Sequence, residues 1–234
     1  MTTSADYPTD NQAERASNRP TAPSKEDTEL LPPFVGLMLN QIEVPQTPAE
    51  IAGTVAHLLS QRFVGFDTES KPTFAKGEAA SGPHVVQFAT LDRGYIFQVR
   101  HGESHHESRE ALAALLQSQT MVKVGFGLKS DRCHIQRKLG AQPNAILDLT
   151  TYFKQQGYRN EVGVRGAVAM VLKARFQKSK RVSTSNWANA VLSDSQLLYA
   201  ANDAYGAICV LDAMQTPDGG WPIIGVESDA DHAA

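Results

Sequence analysis

Two carboxylates stand one residue apart at the end of a short apolar run. The run extends from Phe63 to Glu69, and its aromatic and β-branched residues predict a buried strand. Because side chains alternate between the two faces of a strand, Asp67 and Glu69 point the same way. Adjacent carboxylates repel each other unless they take up protons or share a cation, which favours a metal site. The pair alone is equally consistent with a strand that runs out into a polar loop.

Two further segments carry acidic side chains at the start or along the face of a helix. Residues 122–131 have the pattern of a strand that breaks at glycines and opens a helix carrying Asp131. Near the other end of the chain, Tyr199 and Asp203 stand four residues apart in a strongly helical pattern. That spacing places the phenol and the carboxylate on one helix face, a turn apart.

Taken in chain order, these residues resemble the site of a known superfamily. The set consists of Asp67, Glu69, Asp131, Tyr199 and Asp203. It resembles the DEDDy 3′-5′ exonucleases, which include ribonuclease D and the Werner-type exonuclease domain, over roughly residues 42–214. The tyrosine favours this subclass, since the sister DEDDh group has a histidine one residue earlier. The resemblance implies an RNase H-like α/β fold, a mixed five-stranded sheet flanked by helices.

The resemblance also implies a role for each site residue. Asp67 would bridge two divalent ions, Glu69 and Asp203 would complete one ion site, and Asp131 would hold the second ion. Tyr199 would orient the attacking water, with activation coming mainly from the metal. Oxygen ligands suit Mg²⁺ or Mn²⁺, and the sequence has no grouped Cys or His that would favour zinc. The expected activity is metal-dependent 3′-5′ exonucleolytic hydrolysis of phosphodiester bonds that releases 5′-mononucleotides.

Two other classes of function are alternatives to this one. The first is a non-catalytic nucleic-acid-binding module that retains the exonuclease fold, although a binder gains nothing from acids near phosphates. The second is a small-molecule α/β enzyme, for which the sequence lacks a glycine-rich phosphate loop and a nucleophile motif. Metal-dependent release of mononucleotides distinguishes the exonuclease from both.

The charged residues that make up the net charge of −3 are unevenly distributed along the chain. Residues 1–31 carry a net charge of −3 and residues 215–234 a net charge of −4, which leaves +4 for residues 32–214. A basic body between acidic ends is compatible with binding a polyanion. Between Val162 and Ser193 the chain has six basic residues and no acid.

The basic run supplies candidate substrate contacts. We expect Lys178, Lys180 and Arg181 to contact phosphates, together with Thr68 beside the carboxylate pair. The alternative is an ordinary solvated basic face, which would affect neither affinity nor its salt dependence. The implied partner is the 3′ end of an RNA or a DNA; the residues do not distinguish the two.

Composition predicts one domain between two tails. Residues 1–31 are polar and predict a disordered tail, residues 32–214 the exonuclease domain, and residues 215–234 an acidic tail. The short remainder after the last helix favours a stand-alone nuclease domain. The sequence has neither a bilayer-spanning apolar run nor a signal-peptide pattern, and its two cysteines lack zinc-ligand spacing, so we expect a cytoplasmic protein.

Four local patterns predict three helix starts and one loop. Thr47 with Glu50, and Ser193 with Gln196, form capping boxes at helix starts. Asp148 is expected to cap a helix rather than to act in catalysis. The histidines at 101, 105 and 106 are expected in a solvated loop rather than in a metal site.

Overall fold

The structure is a computed structural model that describes residues 19–73, 81–100, 106–214 and 221–225. The described residues form a six-stranded sheet with helices on both faces. The strands are β1 (Ile42–Glu43), β2 (Phe63–Glu69), β3 (Val85–Ala89), β4 (Gly94–Gln98), β5 (Val122–Gly125) and β6 (Ile146–Asp148). They lie across the sheet in the order β1-β4-β3-β2-β5-β6.

The strand that carries the two carboxylates lies near the centre of the sheet. It pairs antiparallel with β3 and parallel with β5, with Gly65 opposite Val124. The β3–β4 pair is antiparallel and the β5–β6 pair is parallel. The predicted RNase H-like mixed sheet is therefore confirmed, with one correction to the strand count. The sixth strand, β1, pairs parallel with β4, and its two residues are too few to show a period along the chain.

Eight helices connect and flank these strands in the described residues. They are α1 (Lys25–Glu29), α2 (Pro48–Leu59), α3 (His106–Gln117), α4 (Lys129–Leu139), α5 (Leu149–Gln155), α6 (Val164–Ala167), α7 (Lys180–Ser183) and α8 (Asp194–Met214). A π-helical segment, Val168–Leu172, continues α6, and a 3₁₀ turn, Leu39–Gln41, precedes β1.

Both predicted capping boxes are present. At the start of α2, the Glu50 amide donates to the Thr47 hydroxyl at 3.3 Å, and the Thr47 amide donates to Glu50 Oε2 at 3.0 Å. At the start of α8, the Gln196 amide donates to Ser193 Oγ at 3.3 Å, and the Ser193 amide donates to Gln196 Oε1 at 3.1 Å. These bonds satisfy amides that have no partner within the helix, so they fix where α8 begins.

Helix α8 is the long element that crosses the sheet face below the site. It packs against β2, β3, β4 and β5. The approach to β2 is close because Gly65 has no side chain: a Cβ there would lie 1.9 Å from the carbonyl oxygen of Ala204. The opposite face is covered by α2, α3 and α4, whose buried residues include Leu58, Leu115 and Ile135. Helices therefore reach the carboxylate strand from both sides.

The segment before β1 lies along the body of the protein. The Arg159 amide donates to the carbonyl of Pro20 at 3.0 Å, and the Leu37 amide donates to Asn202 Oδ1 at 2.7 Å. Helix α1 lies between these two contacts. Residues 19–31, which the sequence assigns to the N-terminal tail, thus include helix α1 and a backbone contact to the body of the protein. The rest of that tail lies outside the described residues.

The second predicted tail is described only in part. Residues 221–225 reach β6, where the Ile224 amide donates to the carbonyl of Ile146 at 2.8 Å. Residues 215–220 and 226–234 lie outside the described residues. Among the residues that the structure describes, none of the helices is both long and apolar enough to pass through a bilayer. Cys133 and Cys209 are free thiols.

Candidate active site

Three carboxylates converge where β2 ends beneath α8. Asp67, Glu69 and Asp203 each present an oxygen within 4.8 Å of the others. Alternation along β2 places the first two on the sheet face that α8 covers, and α8 contributes the third. Asp203 is 4% exposed, whereas the two strand residues are half-buried. This spacing and this oxygen chemistry fit a divalent cation.

Asp131 reaches the same strand from the other face of the sheet. It lies in the first turn of α4, and its Oδ1 accepts a hydrogen bond from the hydroxyl of Thr68. Asp131 is outside the three-carboxylate group, yet its charge raises the pKa of Asp67 after burial and Asp203. Strand β2 therefore lies between Asp203, which α8 contributes on one face of the sheet, and Asp131, which α4 contributes on the other. Thr68, predicted as a substrate contact, binds this carboxylate; its contact with substrate remains a prediction.

Asp148 fixes the turn that leads into the Asp131 helix. Its carboxylate accepts hydrogen bonds from the amides of Gly127 and Leu128, each at 3.0 Å. It also accepts from the Thr150 amide at 3.0 Å, which confirms the predicted cap of α5. The sequence indicated the cap but not the link to residues 127 and 128. One buried carboxylate thus anchors α5 and the entry to α4.

Tyr199 lies one turn before Asp203 on α8, as its spacing predicts. Its ring packs against Trp187 with the centroids 5.9 Å apart. Trp187 is fully buried in the core, and its indole N–H donates to the carbonyl of Ser183 at 3.2 Å. Burial, and then the charge of Asp203, raises the pKa of Tyr199 to about 12. The phenol therefore stays protonated at neutral pH and can donate a hydrogen bond.

Lys178 lies inside the acidic cluster. Its ammonium Nζ is 2.6 Å from Asp203 Oδ2 and 5.4 Å from the centroid of the Tyr199 ring. Sequence reasoning placed Lys178 in a basic run and gave it a phosphate contact. Nothing in the sequence signalled the ion pair, because residues 173–179 have no regular period that would orient a side chain. The phosphate contact remains a prediction.

Burial and mutual repulsion raise the pKa of each carboxyl group in the cluster. Burial, then Asp203 and Asp131, raises the pKa of Asp67 well above its ordinary range. Burial, then Asp67, raises the pKa of Glu69 to about 9. Burial raises the pKa of Asp203 to about 6, although Lys178 opposes the rise. When Lys178 is the only cation at the cluster, carboxyl groups of the cluster therefore hold protons at neutral pH.

Comparisons with known proteins show the family to which this chain belongs. A family model described as 3′-5′ exonuclease matches residues 42–216. The chain belongs to the 3′-5′ exonuclease family. A 3′-5′ exonuclease of Arabidopsis thaliana is 31% identical over 146 residues, which cover 62% of this chain and 50% of the plant protein. The bifunctional 3′-5′ exonuclease/ATP-dependent helicase WRN of Mus musculus is 28% identical over 148 residues, 63% of this chain and 10% of the mouse protein.

The fold has matches among solved structures as well. Ribonuclease D of Trypanosoma brucei, solved in complex with RNA, superposes with a TM-score of 0.64 at 18% sequence identity. The match covers 82% of this chain and 66% of the trypanosomal chain. The expected resemblance to ribonuclease D and Werner-type exonucleases is thereby confirmed. The assignment to the DEDDy subclass, which rests on Tyr199, stays a prediction. The chain spans half or less of the two curated relatives described above.

The other basic residues of the run between Val162 and Ser193 are not equivalent. Lys180 and Arg181 are exposed in α7. Lys173 Nζ donates to the carbonyl of Met170 at 2.7 Å, and the Arg175 guanidinium donates to the carbonyl of Glu29 at 3.2 Å. The run is thus divided between backbone contacts, the acidic cluster and exposed side chains. Lys180 and Arg181 remain the predicted phosphate contacts on its exposed part.

A cavity opens beside the cluster on the side of the N-terminal segment. It encloses about 400 Å³, and its walls include Phe34, Leu37, Phe176, Leu198, Tyr199 and Asp203. No sequence pattern indicated it, because its two sides lie far apart in the chain.

Of the three histidines that were expected in a solvated loop, His106 lies in a helix instead. It is in the first turn of α3 and pairs with Glu110 at 3.3 Å. His101 and His105 lie outside the described residues.

Proposed function

We propose that this chain is a metal-dependent 3′-5′ exonuclease that hydrolyses phosphodiester bonds of nucleic acid and releases 5′-mononucleotides. The observation that carries the proposal is the group of oxygens of Asp67, Glu69 and Asp203 within 4.8 Å of one another. Burial raises the pKa of all three carboxyl groups, so their ionised forms are unfavourable without a cation. A bound cation would replace protons at the site and stabilise the ionised carboxylates. Asp131, linked to the same strand through Thr68, supplies a fourth carboxylate.

The four carboxylates would hold two divalent ions, Mg²⁺ or Mn²⁺. Asp67 would serve both ions, Glu69 and Asp203 would complete one site, and Asp131 would serve the other. When bound, such ions supply a deprotonated water at neutral pH and neutralise charge on the phosphate. Hard oxygen donors favour these ions over zinc, and among the residues that the structure describes no histidine or cysteine joins the three-carboxylate group.

Tyr199 would orient the attacking water. Its hydroxyl lies on the face of α8 that carries Asp203, and its raised pKa keeps the proton in place. A protonated phenol is a poor base, so its contribution is the direction of a hydrogen bond. The fixed packing of its ring on the buried Trp187 limits the positions that the hydroxyl can reach.

Lys178 would change partner during the reaction. Its ammonium group balances the buried Asp203 carboxylate when no ion is present. A divalent ion at Asp203 would take over that role, which leaves the ammonium free to bind a phosphate oxygen of the substrate. Its distance of 5.4 Å from the Tyr199 ring keeps it beside the residue that orients the water. The predicted phosphate contact of Lys178 would then be made at the reacting end of the strand.

The substrate would enter with its 3′-terminal nucleoside toward the cavity next to α8. Apolar walls and about 400 Å³ of space suit a base and its sugar, and Tyr199 and Asp203 are among the lining residues. Lys180 and Arg181 would contact phosphates further from the terminus. A related fold has been solved with bound RNA, which supports nucleic acid as the partner. Both RNA and DNA remain candidate substrates.

The competing function is a non-catalytic nucleic-acid-binding module. The geometry speaks against it, because three clustered carboxylates repel phosphates unless cations neutralise them. The test uses end-labelled RNA and DNA, each single-stranded and with a recessed 3′ end, in Mg²⁺, Mn²⁺ or EDTA. We expect mononucleotides from the 3′ end in either metal and none in EDTA. Binding without products in all three conditions would support the module instead.

A further inference from the structure

Gln87 is a buried polar side chain without a partner. It lies in the middle of β3 with no solvent exposure. Within the described residues, neither its amide nitrogen nor its amide oxygen has a hydrogen-bond partner. An unpartnered amide in a protein core is costly, and an apolar residue of similar volume would avoid the cost.

Gln87 is the direct neighbour of Asp67 in the sheet. The two residues are opposite each other in the antiparallel β2–β3 ladder. Residues opposite each other in such a ladder have side chains on the same face, with Cβ atoms about 4.5–5.5 Å apart. The shared face is the one that α8 covers, since Gly65 on that face touches the α8 backbone at Ala204. The Gln87 amide is therefore buried next to the carboxylate group.

The contrast with Gln196 shows that a buried glutamine in this fold can be fully satisfied. Gln196 is 4% exposed, and its Nε2 donates to Ser185 Oγ at 2.9 Å and to the carbonyl of Asn186 at 3.3 Å. Its Oε1 accepts from the Ser193 amide at 3.1 Å. Gln196 is thus a structural residue, and Gln87 lacks every contact of that kind. The missing partner of Gln87 is to be sought in the neighbouring site.

We infer that Gln87 is a positioning residue for Asp67 and hydrogen-bonds the Asp67 carboxylate, directly or through one water, once divalent cations are bound. The inference rests on the proposed metal-dependent function. The Thr68 amide already donates to Asp67 Oδ1 at 2.9 Å, and the Gln87 amide would add a donor from the adjacent strand. Hydrogen bonds of this kind orient metal-binding carboxylates, and their loss typically weakens metal affinity by about 10- to 100-fold.

The test compares Gln87→Met with Gln196→Met and with the wild-type protein. Mn²⁺ affinity is measured by calorimetric titration without nucleic acid, and the melting temperature is measured in EDTA. For Gln87→Met we expect an unchanged or higher melting temperature and an Mn²⁺ affinity at least about tenfold weaker. For Gln196→Met we expect the reverse, a lower melting temperature and unchanged Mn²⁺ affinity.

Each other outcome contradicts a specific step. Wild-type Mn²⁺ affinity in Gln87→Met would overturn the positioning role while leaving the proposed metal site intact. Failure of both Gln87→Met and Gln87→Leu to fold in EDTA would show that the metal-free fold needs the amide, which also overturns the inference. A wild-type protein that binds no Mn²⁺ would refute the proposed metal site itself, and the Gln87 role with it.

Discussion

The ammonium of Lys178 lies 2.6 Å from the carboxylate of Asp203, so the acidic cluster contains a cation of its own. The Asp203 side chain is 2% exposed and that of Lys178 is 28% exposed. Burial alone would lower the pKa of Lys178, but Asp203 and Asp67 outweigh burial and raise it. The lysine is therefore charged at neutral pH, and a metal ion that binds Asp203 has to displace it.

Lys178→Met should separate metal binding from turnover. Without the ammonium, we expect Mn²⁺ to bind about tenfold more tightly at pH 8.5, since a positive charge has left the site. Hydrolysis should nevertheless slow, because the proposed phosphate contact is lost. Calorimetry and single-turnover kinetics measure the two effects, with the exposed Lys180→Met as the matched control. Weaker Mn²⁺ binding in Lys178→Met would show that the lysine supports the metal site rather than competing with it.

Asp67→Asn should abolish hydrolysis without destabilising the metal-free protein. The substitution removes the carboxylate proposed to serve both ions, and it relieves repulsion among buried acids. We therefore expect an unchanged or higher melting temperature in EDTA. Thermal denaturation and a mononucleotide-release assay provide the measurements. Turnover at the wild-type rate would refute the metal mechanism.

Tyr199→Phe should cost less than Asp67→Asn. It removes the hydroxyl that orients the water but leaves the carboxylates and the ring that packs on Trp187. We expect a rate lower by about 10²-fold, with Mn²⁺ affinity and melting temperature close to wild type. A rate as low as that of Asp67→Asn would mean that the phenol does more than orient the water.

Lys180→Ala with Arg181→Ala should flatten the salt dependence of binding. Each lost phosphate contact removes about 0.7 from the slope of log affinity against log salt for a single strand, so the pair should remove up to about 1.4. Binding is measured with Ca²⁺ in place of Mg²⁺ to keep the substrate uncut. Turnover at saturating substrate should change little, since neither residue contacts the cluster. An unchanged slope would identify these side chains as an ordinary solvated surface.

The metal-free protein should lose stability as the pH rises. Burial and Asp67 raise the pKa of Glu69 from an ordinary 4.5 to about 9. Between these values the folded protein holds more protons than the unfolded chain, so its free energy of unfolding falls with increasing pH. Melting temperatures in EDTA from pH 5 to pH 9 measure this fall. Glu69→Gln should flatten it, whereas Glu50→Gln, which alters a helix cap, should leave the slope unchanged.

The carboxylate pair and the α8 pair were predictable because each lies in a regular element. A strand places Asp67 and Glu69 on one face, and a helix places Tyr199 and Asp203 a turn apart, whatever the surroundings. Tertiary contacts within the chain determine the other site features. Lys178 reaches Asp203 from an irregular segment, and the missing partners of Gln87 become evident only in the folded protein.

Lys123 shows how local pattern can mislead. Its place between Val122 and Val124 in β5 suggests an outward-facing polar residue, yet it is fully buried. Its Nζ donates to the carbonyls of Leu115, Ser118 and Met121 at 2.8 to 3.1 Å. These carbonyls lie at and beyond the end of α3, and the lysine supplies the donors that they need there. Such a role depends on how α3 meets the sheet, which the identity of residue 123 does not reveal.

The position of α8 constrains when the proposed site can be completed during synthesis of the chain. The hydrogen bond from Leu37 to Asn202 joins residues 165 positions apart, and Asp203 follows directly on the same helix. While the ribosome is still making the first 190 residues, the nascent chain has β2 and α4 but neither Tyr199 nor Asp203. A partly made chain, or a prematurely terminated product that stops before α8, therefore lacks two residues of the proposed site.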